Sequence, residues 1–409
     1  MAKVIVLGGC GAVGTHSVKT LASLDDFSEI VIGDINVEKA NKIIKSIGSD
    51  KVSAVKVDAL NKNDIINAIK DSDVVLNCIG PFYKFVPVIL DAVIDTGINY
   101  VDICDDVDVT LKILEWDQRA KDAGISALIG MGSSPGVTNL LAKFCADQLL
   151  DTVESIDIYH AHGGEPEEGP GVVAHRIHAM LLDIPMFLDG ELKYVKYFED
   201  DGIALQEDVE FYKLEGIHRV YPYPHPEQVT LPRYIKGVKR VTNKGTVLPK
   251  EYYDLTREIV RLGITSEEPI NVKGAMVKPI DFAIAFIINQ RDKILQQVNF
   301  GEQRGCVKIV VKGQKKKKEQ TYVFQMASSG GQAMGEGTGI PAAFGAVLMQ
   351  QGKIKEKGIF PPEGGVNPLD FLSQMQKFLK LKKVGDEKEG SPLIIESIDA
   401  NGNKKRLTL

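Results

Sequence analysis

Residues 4–14 read Val-Ile-Val-Leu-Gly-Gly-Cys-Gly-Ala-Val-Gly, an apolar run that breaks into glycines and then opens a helical pattern. Few folds accept that junction. Gly9 permits a tight turn, Gly11 lets backbone approach a ligand without a Cβ in the way, and Gly14 lets the helix pack against the strand. The loop Gly9-Cys10-Gly11-Ala12-Val13-Gly14 then presents backbone N–H groups and the positive end of a helix dipole to a pyrophosphate. Asp34 follows Gly14 by 20 residues, at the end of the next strand-like run. A carboxylate there accepts hydrogen bonds from both adenosine ribose hydroxyls and repels a 2′-phosphate, and Ile35-Asn36-Val37 supplies no arginine. The loop, Asp34 and the adjoining Ile35 therefore read as an NAD site, with NADP possible.

The pattern after the loop keeps a regular beat. Strand-like runs at Glu29–Asp34, Val52–Asp58, Val74–Ile79, Tyr100–Cys104 and Ala127–Met131 alternate with helical stretches at Val37–Ile47, Asn63–Lys70, Val86–Ile94 and Thr110–Ala123. Continuous apolar strands joined by helices predict a parallel sheet covered on both faces. The expected fold is α/β, an N-terminal Rossmann doubly wound parallel sheet over residues 1–140. A second, mixed α+β substrate and dimerisation domain is expected over 141–329, with a strand at Ser155–Ala161 and a helix at Val172–Leu182. Residues 189–232 read as turn- and aromatic-rich, and two strands, Cys306–Lys312 and Gln320–Met326, flank a lysine turn at Lys315–Lys318. Ser328–Gly339 is rich in glycine and serine and reads equally as a linker or a ligand loop. Pro341–Gln350 is helical, so residues 330–380 are expected to return to the first domain. Residues 381–409 read as a polar tail with a weak hairpin signal at Leu393–Ile398.

The net charge of −6 lacks the basic face that nucleic-acid binding needs, and no apolar stretch reaches membrane-spanning length. Five cysteines, an odd number without a CxxC pair, sit mostly in or beside apolar runs. That usage reads as reduced, buried thiols in a cytoplasmic protein, and with a strand beginning at Lys3 no leader is expected.

Several later loops fit the same dinucleotide. Asp58-Ala59 ends the third strand, where adenine would lie, or Asp58 simply caps the next helix. Cys78-Ile79-Gly80-Pro81 ends the fourth strand, with Gly80 allowing close approach to a ribose. Ser134-Pro135, within Ser133–Asn139, starts a helix whose N–H groups suit the nicotinamide amide or a substrate carboxylate.

The ordered segments GGCGAVG, DVVLNCIGPF, YVDICDD and GMGSSPGVTNLLA resemble the saccharopine dehydrogenase-like family, as does GTGIPAAFGAVLMQQGKIKEKGIFPPE near the end. That family includes saccharopine reductases, lysine dehydrogenases and carboxynorspermidine dehydrogenases, and GMGSSPGVTN looks most like the lysine dehydrogenase branch. The resemblance implies an NAD(P)-dependent enzyme that moves a hydride at the C–N bond of an amino acid or related amine, with lysine as one candidate substrate. It also implies a homodimer. An ammonium cannot give up a hydride, so one group must take its proton first. Asp102 and Asp105, with Asp106 beside them, end the fifth strand and suit that role, and helix capping is their other reading. His175 and Arg176 sit on the Val172–Leu182 helix with His178 at i+3 from His175. They face substrate, form a structural or dimer face, or, without further ligands, half a metal pair; no metal site is expected. Arg233 suits a substrate carboxylate or is a plain surface arginine, and Glu165 either projects into the cleft or has no part in it. A non-catalytic protein that senses NAD(P) redox state is the alternative class.

Overall fold

The computed structural model describes residues 2–165, 168–329, 333–382 and 393–407. It forms two compact units. The first gathers Met1–Asp151, His225–Lys236 and Met334–Ser391, and the second gathers Thr152–Pro224, Gly237–Ala333 and Pro392–Leu409.

In the first unit, β1 (Lys3–Leu7), β2 (Glu29–Asp34), β3 (Val52–Lys56), β4 (Val74–Asn77), β5 (Asn99–Asp102) and β6 (Ser126–Leu128) join a late strand, Gly358–Phe360. The spatial order is Gly358–Phe360, β6, β5, β4, β1, β2, β3, and every pairing is parallel. This is the doubly wound sheet that the alternating pattern implies. Four successive residues, Val4 to Leu7, are fully buried, which requires cover on both faces of β1. The winding reverses between β1 and β4, so the loops after those two strands flank the crevice where ligands bind in such sheets.

The glycine-rich stretch Ser328–Gly339 is not a loop where it is described. A strand runs to Ser329 and the helix Ala333–Gln350 takes over the rest, with residues 330–332 outside the described set. Its glycines serve packing against α1 (Ala12–Ala22). A Cβ on Gly339 would stand 2.6 Å from the Val13 carbonyl, and one on Gly335 3.1 Å from that of Ala12. Ser17 Oγ donates to the Gly339 carbonyl at 3.0 Å across this seam. Only glycine lets two helix backbones come so close.

The second unit is built on a ten-stranded mixed sheet. Thr152–Gly163 pairs parallel with Arg240–Leu248 and antiparallel with Arg304–Lys315. Arg304–Lys315 forms a hairpin with Lys318–Ser329 through Lys316 and Lys317, whose φ values are 53° and 62°. The lysine run is thus a solvated two-residue turn. The polar tail carries structure: Leu393–Asp399 and Lys404–Leu407 extend the sheet, with Ile394 and Ile395 buried. The turn-rich reading of 189–232 also changes. Three strands cross it, Glu191–Lys196, Glu207–Glu210 and Ile217–Pro222, and its last part, from His225, belongs to the first unit. Arg240–Leu248 escapes sequence reading because its buried side chains include Thr242, Asn243, Lys244 and Thr246, which mask the apolar signature of a central strand.

Candidate functional site

The loop after β1 is shaped by its own backbone. A Cβ on Gly14 would lie 2.2 Å from the Gly8 carbonyl oxygen, and one on Gly9 would meet Ile32 at 2.9 Å. Gly11 differs: its Cβ would approach only Gly8 O, at 3.3 Å, and the residue is exposed. The chain's own packing does not demand glycine at 11, so the vacant space fits a pyrophosphate coming against the backbone. Gly11 is also the N-cap of α1 and has no side chain to satisfy the first-turn N–H groups. Asp34 is tied into this loop, accepting from Cys10 N at 3.0 Å and Asn36 N at 2.9 Å. Each carboxylate oxygen retains a lone pair for a ribose hydroxyl. Burial, with the Asp34 charge adding to it, pushes the Cys10 thiol up to about 12, so it stays neutral beside a phosphate. Ile35 is 65% exposed next to Asp34. Asp58 caps no helix; it accepts from Leu60 N at 2.9 Å, and Asn61 is the N-cap. Ala59 is buried beside it.

The ends of β4 and β5 are pinned by a buried chain of hydrogen bonds. Asn77 Nδ2 donates to Tyr100 Oη and Tyr100 Oη to Asp102 Oδ2, each at 3.0 Å. Asp102 Oδ1 accepts from Cys104 N at 3.0 Å and Gly130 N at 2.7 Å. Asp102 is fully buried, which raises its pKa to about 6 against the pull of these donors. This changes its reading as a base: buried and held by three donors, it fixes the turns after β5 and β6. Asn77 Oδ1 accepts from Ile79 N at 3.0 Å and so shapes the Cys78–Pro81 turn. Asp106 is also buried, accepting from Tyr83 N at 2.9 Å, whereas Asp105 is partly exposed.

The loop after β6 is built differently. Gly136 has φ +125°, and a Cβ there would overlap the Gly132 carbonyl at 2.0 Å. The loop's side chains run inward to two acids brought from far along the chain. Ser134 Oγ donates to Glu227 Oε1 at 2.6 Å and Thr138 Oγ1 to the same atom at 2.8 Å. His225 Nδ1 holds Glu227 Oε2 at 2.7 Å. Asn139 Nδ2 donates to Glu363 Oε2 at 2.8 Å, and Asn139 Oδ1 accepts from Gly136 N at 2.8 Å. Glu227 is fully buried and Glu363 nearly so. Burial alone would raise Glu227, but the His225 charge and hydrogen bond, with that of Ser134, hold it at about 2. Burial pushes Glu363 up to about 7, against hydrogen bonds from Thr230 and Asn139, and the Glu227 charge adds to the rise. Near neutral pH one acid is thus an anion and the other is poised between its two forms. Neither was foreseen. Glu227 lies in Pro224-His225-Pro226-Glu227, which has no periodicity, and Glu363 ends the quoted FPPE without a role of its own.

Arg233, on the helix Glu227–Tyr234 of the first unit, is exposed. In the second unit, Arg176 is buried and ion-paired with the equally buried Glu168, which also accepts from Tyr252. Its reading as a substrate-facing cation is corrected, because its charge is committed inside the unit. His175 and His178 are partly exposed on the helix Pro170–Leu181. Glu165 pairs with His162 Nδ1 at 2.8 Å. Burial alone would raise Glu165, and the His162 charge and hydrogen bond outweigh it and hold its carboxyl at about 2.

Two family models match the chain, the saccharopine dehydrogenase NADP binding domain over residues 4–128 and the saccharopine dehydrogenase C-terminal domain over residues 132–381. Carboxyaminopropylagmatine dehydrogenase of Synechocystis sp. is 26% identical, covering 92% of this chain and 95% of the relative. Carboxynorspermidine synthase of Vibrio cholerae is 27% identical, covering 90% and 92%. Among solved structures, apo saccharopine dehydrogenase (L-Glu forming) from Saccharomyces cerevisiae aligns with a TM-score of 0.66 over 100% of both chains at 17% identity, a likeness of fold. No described helix is long and apolar enough to cross a membrane.

Proposed function

Because this chain belongs to the saccharopine dehydrogenase family and is an NAD(P)-dependent oxidoreductase acting on amines, we propose that its substrate is a carboxylated secondary amine. The observation that supports this reading is that two relatives matched over nearly their whole length are named for carboxylated amines, one as a dehydrogenase and one as a synthase. Lysine, favoured by the GMGSSPGVTN resemblance, is the second candidate. When bound, the nicotinamide supplies the hydride acceptor or donor. Gly9–Gly14 hold its pyrophosphate, Asp34 and Ile35 the adenosine ribose, and Asp58 and Ala59 border the adenine. Cys78–Pro81 and Ser134-Pro135 meet the nicotinamide half. Asp34 makes NAD the preferred form. Asp105 or His175, both partly exposed, takes the ammonium proton, and exposed Arg233 offers a bidentate fork to the carboxylate. A homodimer in the cytoplasm completes the proposal.

The test is a panel of saccharopine, carboxynorspermidine, carboxyaminopropylagmatine and lysine with NAD+ and NADP+, followed at the absorbance of the reduced nicotinamide. Turnover of a carboxylated secondary amine, faster with NAD+, is expected. Turnover of lysine alone would replace the proposed substrate, and silence in both directions with both cofactors would overturn it.

A further inference from the structure

Ser134 and the buried Glu227 make a pair whose polarity is fixed. A serine hydroxyl has one proton and two lone pairs, and whichever partner takes the proton decides what the oxygen offers to others. Ser134 Oγ lies 2.6 Å from Glu227 Oε1. That carboxylate is fully buried, carries its charge and has no proton to give, so Ser134 must be the donor. His225 Nδ1, at 2.7 Å, occupies the other carboxylate oxygen, and Thr138 Oγ1, at 2.8 Å, shares the first. Ser134 is only half-buried, so it is not sealed from the surface of the loop, and with its proton donated to Glu227 what its oxygen can offer a ligand there is an acceptor.

The sheet order says which ligand group arrives there. Asp34 ends β2, on one side of the point where the winding reverses, and Ser134 follows β6, on the other. A dinucleotide lying across that point, adenosine towards β2, brings its nicotinamide half towards β4, β5 and β6. The nicotinamide carboxamide carries two N–H donors. We infer that Ser134 accepts a hydrogen bond from the nicotinamide carboxamide, with Glu227 as the positioning residue that makes the hydroxyl an acceptor. The inference rests on the reading that the nicotinamide half reaches the Ser133–Asn139 loop.

The experiment measures calorimetric affinities of the full-length protein, without substrate, for NAD+ and for its 3-acetylpyridine analogue, in which a methyl replaces the amide nitrogen. Wild type is expected to bind the analogue about five- to tenfold more weakly, the loss of one hydrogen bond. Ser134→Ala is expected to weaken NAD+ by a similar factor and to shrink the ratio between the two ligands at least threefold. Glu227→Gln is expected to shrink it too. His225 keeps the amide oxygen of that glutamine facing itself, which turns the NH2 group towards Ser134 and frees the serine proton to point at the ligand. Ser134→Ala keeps the test valid should Glu227→Gln fold poorly. An undiminished ratio in Ser134→Ala, or no discrimination by wild type, overturns the inference while leaving the dinucleotide site standing. Failure of wild type to bind either ligand, or their NADP forms, overturns the functional reading and this inference together.

Discussion

Two loops at the carboxyl ends of the same sheet reach their shapes by opposite means. Gly9–Gly14 is fixed by its immediate neighbours: Gly14 lies against Gly8, Gly9 against Ile32, and Asp34 straps the loop through the Cys10 N–H. Ser133–Asn139 is fixed from a distance, Ser134 to Glu227 across 93 residues and Asn139 to Glu363 across 224. The first is a steric solution, in which side chains are removed until backbone fits. The second is electrostatic, in which two buried acids are held by the loop's own donors. Steric loops are read in short stretches of sequence, whereas electrostatic ones depend on partners that only the fold brings together.

The contrast can be broken by substitution. The largest effect is expected for Glu227→Ala, which strands the His225, Ser134 and Thr138 donors in a dry interior. Removing one partner of such a buried charge pair costs about 3–5 kcal/mol, read as a lower urea midpoint. If the loss stays below about 1 kcal/mol, the loop does not depend on its distant acid. Next comes Gly14→Ala. Its Cβ would overlap Gly8 O at 2.2 Å, so about 3 kcal/mol of stability should go with dinucleotide binding. A variant that kept both would show that the steric loop can yield.

The pH dependence separates the two loops further. Glu363 rises from 4.5 to about 7 on folding, so the fold prefers its protonated form. That contribution is complete below pH 4.5 and is lost as the pH climbs through about 7, a change of about 3 kcal/mol. Glu227 has the opposite sign: held at about 2, it contributes above pH 4.5 and loses that contribution as the pH falls through 2. Glu363→Gln should therefore flatten the stability profile between pH 4.5 and 7 in denaturant titrations. A slope equal to that of wild type would place the titrating group elsewhere. The smallest stability effect is expected for Gly11→Ala. Its φ of −67° and ψ of 169° suit alanine, so stability should hold or rise by about 0.5 kcal/mol. Its dinucleotide Kd should nonetheless weaken by roughly tenfold, because the methyl occupies the pyrophosphate approach. Unchanged affinity would move the phosphates away from Gly11.

The first six strands of the doubly wound sheet were legible because they are largely apolar runs joined by local helices, whereas Gly358–Phe360 joins β6 from far along the chain and has no such signature. The pyrophosphate loop was legible for the same reason, since every residue that shapes it lies within 34 positions of the start. Asp102 misled because an acid at a strand end looks the same whether it meets ligand or three buried donors. Arg176 misled likewise: its partner Glu168 sits eight positions before it, and nothing local announces that both side chains are buried. The Gly335–Gly339 stretch resembled a flexible loop because its glycines do not record in sequence which helix backbone they touch.

The chain's path gives the loop after β6 a place in time as well as in space. The polypeptide passes between the units after Asp151, Pro224, Lys236, Ala333 and Ser391. A chain emerging from the ribosome can close the Gly9–Gly14 loop once β2 has followed it. Ser134 and Thr138 must wait for Glu227, and Asn139 for Glu363, which is made only when most of the chain is out. The first unit is thus begun early and completed only after most of the second has been made, and a fragment released at Asp151 would carry a complete pyrophosphate cradle beside a β6 loop whose buried acceptors had not yet been made.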